Sequence, residues 1–336
     1  MCEETLSAGK EYPMKALYIK KYGSLESLKT EEVAKPVLKD NTVLVHIRAA
    51  AVNFSNVAIA TGKPFIARFM GLGFPGPKFP IPGSEIAGQV EAVGKNMKRF
   101  RVGDEVYGDL SDFGRGGFAE YVAVSEKALE LKPTNISFVE AASVPETALV
   151  ALQALRDKGK LQPGQKVLII GASGGIGTFA VQIAKAFGAE VTGVSSTKNT
   201  ELVRSIGADN VIDYTTVDFT DGRKTFDLIV ATAGRYSIYA IRRALNPEGT
   251  YVATGGAMSQ IFQATLLGPL LSRKNGKHLG SLLVKTNEGL VFMKELIETG
   301  KVKPVIDRCY PFSEIGEAFK YYQTGHVKGK VVVEIS

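Results

Sequence analysis

Val167-Leu168-Ile169-Ile170-Gly171-Ala172-Ser173-Gly174-Gly175-Ile176-Gly177 decides the fold. An apolar run of strand length passes straight into glycines that open a helix. The helix is expected over Thr178 to Phe187, where apolar residues recur at helical spacing before Gly188 and a second strand, Glu190 to Val194. Glycine is needed where the backbone turns tightly, where it approaches a pyrophosphate, and where helix packs closely on strand. The helix N-terminus then offers free N–H groups to the phosphates. Counted back from Gly177, the frame is Ala172-x-Gly174-x-x-Gly177, with alanine replacing the first glycine of the dinucleotide fingerprint. Glycine spacing alone is weak evidence; its place between strand and helix makes this a dinucleotide-binding turn.

The end of the second strand chooses the dinucleotide. Chains that bind NAD place Asp or Glu about twenty residues beyond the glycines, on the ribose 2′-hydroxyl. Here the sequence reads Val194-Ser195-Ser196-Thr197-Lys198-Asn199. Hydroxyls and a lysine suit a 2′-phosphate that a carboxylate would repel, so NADPH is expected over NADH. The plain alternative for Lys198 is a solvated loop lysine.

A chain of 336 residues with 45% hydrophobic content is long enough for two domains with large cores. No apolar run reaches the roughly eighteen residues that span a bilayer. Met1-Cys2-Glu3-Glu4-Thr5 is acidic and does not read as a secretory signal. Two cysteines, Cys2 and Cys309, build no disulfide framework. These features point to a soluble cytoplasmic protein with reduced thiols. The net charge of +7 is spread along the chain without an aromatic-interleaved basic run. An anionic cofactor accounts for part of it, and nucleic acid is not expected as a partner.

Residues 1–13 are expected to form a flexible extension, with the first strand starting at Met14. From 14 to 140 the segments are short, β-branched and punctuated by Gly and Pro, as in Thr42 to Arg48, Ile86 to Gly94 and Gly117 to Val124. That is the pattern of an antiparallel, barrel-like β domain. From 141 to 284 strands and helices alternate, with strands expected near Val167, Glu190, Val211, Leu228, Thr250 and Leu279. Six such strands match a doubly wound parallel sheet. Residues 285–336 hold a last helix and a closing strand, Lys330 to Ile335, and are expected to return to the first domain.

Six motifs in this order carry a resemblance: Ala51-Val52-Asn53, Pro82 to Gly88, Val102 to Val106, Gly116 to Tyr121, Gly171 to Gly177, and Gly325 to Lys330. The chain resembles the zinc-free quinone oxidoreductase, or zeta-crystallin-like, subfamily of the medium-chain dehydrogenase/reductase superfamily. The resemblance implies an α/β fold: a Rossmann NADPH-binding domain (141–284) and a GroES-like catalytic domain (14–140 plus 285–336). NADPH would lie in the cleft between them, with hydride passing to an unsaturated acceptor. It also implies roles. Asn53 would hydrogen-bond near the nicotinamide ribose, and Thr147 would sit near the pyrophosphate. Ser173, Gly174, Gly175 and Ile176 would line the pyrophosphate, while Ser195, Thr197, Lys198 and Tyr214 would surround the 2′-phosphate. Ala233 and Gly255 complete the cofactor set, and Lys330 would approach from the C-terminal motif.

Relatives usually continue Ala-Val-Asn with Pro-x-Asp, whereas this chain has Phe54-Ser55-Asn56. Asn53, Asn56, Ser84 and Tyr107 are therefore the polar candidates facing the acceptor, with structural roles equally open and water as an alternative proton source. Phe65, Phe69, Phe74 and Phe79 form either a pocket rim or loop packing. Zinc-using alcohol dehydrogenases of the superfamily carry Cys near Ala51 and His where Ser84 stands. The histidines here, His46, His278 and His326, suggest no three-ligand set, so no metal is expected.

Without a Lewis acid, the fitting acceptors are quinones and α,β-unsaturated carbonyls, where charge arriving at carbon delocalises onto oxygen. No tyrosine is followed four residues later by lysine, so the short-chain mode of carbonyl reduction is disfavoured. Reduction of aldehydes or other reactive carbonyls stays open, as does an NADPH-binding structural or RNA-associated role with little turnover. The segment Met258 to Leu271 is apolar, and such segments in the proteins this chain resembles often help pair subunits, so the resemblance implies a homodimer.

Overall fold

The computed structural model describes residues 13–69, 71–272 and 276–336. The extension expected over residues 1–13 thus lies outside the described residues except for Pro13, which already belongs to a strand. Strand β1 (Pro13–Leu17) pairs with β2 (Thr30–Ala34) as a separate antiparallel ribbon. The larger β unit contains β3 (Val43–Val52), β4 (Glu85–Val93), β5 (Glu105–Asp109), β6 (Tyr121–Val124) and β7 (Glu130–Leu131). Helix α1 (Phe54–Thr61) follows β3, and α2 (Phe138–Ala142) and α3 (Pro145–Leu152) lead into the second unit. The boundary expected at 140/141 therefore falls inside α2.

The second unit is a six-stranded parallel sheet of β8 (Lys166–Ile170), β9 (Glu190–Ser195), β10 (Asn210–Asp213), β11 (Phe226–Ala231), β12 (Leu245–Ala253) and β13 (His278–Ser281). Its order, β10-β9-β8-β11-β12-β13, is the doubly wound one expected. Strand β12 begins at Leu245 rather than Thr250, and its register against β11 slips between Phe226 and Leu228. Helix α4 (Gly175–Ala186) starts directly after the glycine turn. Gly177 is obligatory there, because a Cβ on it would lie 2.0 Å from the Gly171 carbonyl oxygen. Gly171 itself has φ +82°, a left-handed conformation that favours glycine.

The chain then returns to the β unit. Strand β15 (Lys330–Glu334) pairs antiparallel with β3, and β14 (Ile306–Pro311) lies parallel beside β15. The helix Leu290–Glu298 instead buries Leu290, Met293, Leu296 and Ile297 in one core with Leu149, Leu152 and Val167. The start of the tail thus packs on the dinucleotide layer before the chain crosses back.

Strand β3 organises the junction. Its register shifts between Ile47 and Ala49, which changes the face each later residue presents. Val43, Val45, Ile47, Ala50 and Val52 enter the β core, while Ala49 and Ala51 join the core shared with α3 and β8. Val52 pairs with Val331 and Ala50 with Ile86. Asn53, Glu85 and Lys330 are thereby delivered to the same end of the β unit, next to the start of α3.

Candidate active site

A cleft of about 790 Å³ lies where these elements meet, within the range of small-molecule and cofactor sites. The parallel sheet contributes Ser173 to Ile176, Ser195, Ser196, Lys198, Asn199, Tyr214 and Ala233 to its walls. From the β unit and its connections come Asn53, Phe54, Glu146, Thr147, Val150, Tyr322 and Lys330. The C-terminal motif is fastened to the glycine turn: the Gly329 N–H donates to the Ser173 carbonyl at 2.9 Å. Lys198, Arg308, Lys328 and Lys330 line the cleft against a single carboxylic acid, Glu146. This balance suits a polyanion.

The residues present fit a nicotinamide dinucleotide. Gly174 stands as N-cap of α4 with no atom crowding its face closer than 3.5 Å, so a phosphate can approach the backbone. Asn199 donates to the Ser173 hydroxyl at 3.1 Å, but its Oδ1 is buried with no partner, an acceptor open to a ribose hydroxyl. Lys198 is exposed beside it. Among the described residues no ion pair engages Lys198, which leaves its ammonium available to an anion.

A buried polar node sits behind the other part of the wall. Lys330 Nζ donates to Glu85 Oε2 at 2.5 Å, to Asn53 Oδ1 at 2.6 Å and to Thr147 Oγ1 at 2.6 Å, using all three of its hydrogens. Glu85 Oε1 accepts from the backbone N–H groups of Glu146 and Thr147 at 2.8 and 2.9 Å, so its charge faces the start of α3. Because Lys330 requires Oδ1 of Asn53, the amide Nδ2 must turn the other way. It donates to Glu85 Oε2 at 2.9 Å and to Glu146 Oε2 at 2.8 Å. The Ser84 hydroxyl donates to the same Glu146 oxygen at 2.9 Å.

Glu146 is the unusual group in this arrangement. Burial, then the neighbouring Glu85 and Asp109 carboxyls, push it up to about 7 against the opposing effects of Lys330 and the Ser84 hydrogen bond. Burial likewise raises Asp109, whose carboxyl accepts from the Ser111 N–H. Tyr322, in the cleft wall, is pushed up to about 12 by burial and by Glu146 and Glu85.

Several expected residues occupy other positions. Tyr107 is wholly buried and donates its hydroxyl to the Leu290 carbonyl at 3.0 Å, tying the β unit to the helix behind it; it is not a cleft wall. Asn56 Oδ1 accepts from the Asn53 N–H at 2.7 Å, so it fastens the first turn of α1 instead of facing an acceptor. Ser84 is buried and reaches the cleft only through Glu146. The Thr197 hydroxyl turns to Asp213 at 2.5 Å, away from the cofactor side. Gly255 packs against the Thr232 backbone, outside the cleft lining. Lys330 serves the buried node, with no donor left for a phosphate. Phe65, Phe69 and Phe74 form an exposed ring cluster that does not line the cleft, and Phe79 stacks near Arg115.

Asn53, Thr147, Ser173 to Ile176, Ser195, Lys198, Tyr214, Ala233 and Lys330 all line this one cleft. Sequence reasoning missed Glu85, Glu146, Asn199 and Tyr322. An acid in the first turn of a helix, as Glu146 is, reads as an ordinary dipole partner. The one signal for Glu85 was a charged residue heading the apolar strand Ile86 to Val90.

Comparison with known proteins agrees with this fold. Residues 39–134 match the alcohol dehydrogenase GroES-like domain and residues 206–333 match the zinc-binding dehydrogenase family. A match to protein-L-isoaspartate O-methyltransferase over 89–235 runs across two units with separate sheets. The 2-methylene-furan-3-one reductase of Solanum lycopersicum is 37% identical, over 95% of this chain and 79% of that protein. The chloroplast envelope quinone oxidoreductase homolog of Arabidopsis thaliana is 34% identical, over 96% of this chain and 98% of its own. The structure of the quinone oxidoreductase from Coxiella burnetii superposes with a TM-score of 0.83 at 27% identity, covering 97% of this chain and 100% of that one. With a GroES-like unit, a doubly wound sheet and these relatives, the chain belongs to the quinone oxidoreductase branch of the medium-chain dehydrogenase/reductase superfamily.

Proposed function

We propose that the protein reduces quinones or α,β-unsaturated carbonyls with NADPH, without a metal, as a cytoplasmic homodimer. The observation that carries this reading is the single cleft in which the glycine turn and a carboxylate-free wall at Ser195–Asn199 face the node of Asn53, Glu146 and Lys330. NADPH, when bound, supplies the hydride. The start of α4 would hold the pyrophosphate, Asn199 Oδ1 a ribose hydroxyl, and Lys198 with Ser195 the 2′-phosphate. Phe54, Val150 and Tyr322 would shield the acceptor from water.

The absence of metal is argued from side chains. Position 84 carries a hydroxyl already committed to Glu146, and Ala51 is a buried methyl group in the β3 strand. The homodimer rests on the helix Met258–Leu266 and the segment beyond it, where Met258, Phe262, Leu266 and Leu270 are exposed near the last strand of the parallel sheet. No helix among the described residues is long and apolar enough to cross a membrane.

Anaerobic oxidation of NADPH and of NADH by chelator-treated protein, with 9,10-phenanthrenequinone and a simple vinyl ketone in turn, tests the reading. Turnover with NADPH and either acceptor is expected. Turnover confined to aldehydes would overturn the acceptor class, and tight NADPH binding without turnover would favour a binding role.

A further inference from the structure

We infer that Glu146 is the proton donor of the reaction, delivering a proton to the acceptor through its Oε1. This rests on the reductase reading above and supplies its missing acid. Glu146 is the one carboxylic acid that lines the cleft. Its Oε2 is occupied by the Asn53 amide and the Ser84 hydroxyl, both donors. Two donors on one oxygen leave the other to carry the proton, and Oε1 has no hydrogen-bond partner among the described residues. The same two donors remain in place when the proton leaves, so the resulting carboxylate is received by bonds already formed.

The charges around Glu146 come from every side of the node. Glu85 and Asp109 oppose its ionisation and Lys330 favours it, while Tyr322, in the same cleft lining, is raised by burial and by Glu146 and Glu85. Burial adds to the two carboxyls, and the acid is held up to about 7, where a general acid is most effective near neutral pH.

The step balances as follows. Hydride arrives at the β-carbon of an enone and forms a C–H bond. The alkene electron pair moves toward the carbonyl oxygen, giving an enolate. The Glu146 O–H bond breaks as a new C–H bond forms at the α-carbon. The carboxylate recovers its proton from solvent, so one NADPH and one proton are consumed per saturated ketone. A quinone yields a hydroquinone anion, whose phenolate oxygen is basic enough to take its proton directly from water; its reduction depends far less on Glu146.

Glu146→Gln, which keeps an acceptor for Asn53 and Ser84 but has no acidic proton, is the decisive variant. For the wild type, kcat/KM for a vinyl ketone should fall tenfold per pH unit above about 7. In Glu146→Gln that limb should vanish, with the rate at pH 6 lowered about 10²–10⁴-fold. The enone rate should fall at least about tenfold further than the phenanthrenequinone rate, and Glu146→Asp should restore part of the enone rate. A readout independent of turnover is the infrared carboxyl C=O band of the cofactor-free protein. It should titrate near 7 in the wild type and be missing from Glu146→Gln. Retention of the limb in Glu146→Gln, its loss in Tyr322→Phe instead, or no such band in the wild type would each overturn the inference. A wild-type enzyme that reduces no enone would sink the reductase reading itself, a failure distinct from these.

Discussion

Replacing Lys330 by methionine keeps an unbranched side chain out to the Cε position and removes the ammonium, which isolates what that charge does for the buried node. Both partners of the Lys330–Glu85 pair are almost wholly inaccessible, with side-chain exposures of 4% and 0%. Removing one member of a buried pair typically costs about 3–5 kcal/mol, because the remaining charge stays desolvated. Two features set the value here. Glu85 retains the N–H groups of Glu146 and Thr147 at the start of α3 and the Asn53 amide, which pulls the cost to the lower end. Asn53 Oδ1 loses its Lys330 partner, and an open buried acceptor adds about 1 kcal/mol or more. We expect a net loss of about 3–4 kcal/mol, read as a lower urea midpoint at unchanged slope. The double variant Lys330→Met/Glu85→Gln removes both charges and should lose about 1–2 kcal/mol less than the sum of the single changes. Lys330 also opposes the upward shift of Glu146, so the infrared carboxyl titration should move above 7 in Lys330→Met. A loss under about 1 kcal/mol, with the double variant strictly additive, would refute the buried ion pair as the organiser of this end of the β unit.

Lys198→Glu places a carboxylate where the 2′-phosphate is expected; NADPH should bind about tenfold more weakly, with NADH affinity unchanged or improved, by fluorescence titration. Equal loss for both cofactors would contradict the selectivity argument. Gly177→Ala would put a Cβ 2.0 Å from the Gly171 carbonyl oxygen, and should destabilise by about 3 kcal/mol or more despite alanine's better helix propensity. A thermal midpoint equal to wild type would show that the turn relaxes freely. Phe262→Glu with Leu270→Glu, both exposed on the proposed dimer face, should convert a dimer to a monomer in sedimentation velocity; an unchanged species would place the subunit contact elsewhere.

The parallel half of the fold was legible because its signals are local. Val167 to Ile170 is a buried strand by composition, Gly171 and Gly177 are required by backbone geometry, and α4 follows with regular apolar spacing. The return of the tail was also legible, since Lys330 to Ile335 carries strand residues and little else. What stayed hidden depended on pairings far apart in sequence. Glu85 and Lys330 meet only because β4 and β15 both pair with β3, and nothing near either residue announces the other. Tyr107 misled for the same reason: its partner is the Leu290 carbonyl on a distant helix. Glu146 looked like a helix-start acid, and its shift arises from burial and from carboxyls contributed by other strands. Thr197 lies in the right loop, but a hydroxyl's direction is set by Asp213, which the loop itself does not contain.

The most direct test of the central claim is the fate of the hydride. Chelator-treated protein would be given NADPH carrying deuterium at C4 and a vinyl ketone in ordinary water, with the product examined by NMR. Deuterium at the β-carbon and ordinary hydrogen at the α-carbon, with NADPH far better than NADH and no requirement for added zinc, is the result this account predicts. Saturated product without label at the β-carbon, or product formed only when zinc is restored, would contradict it.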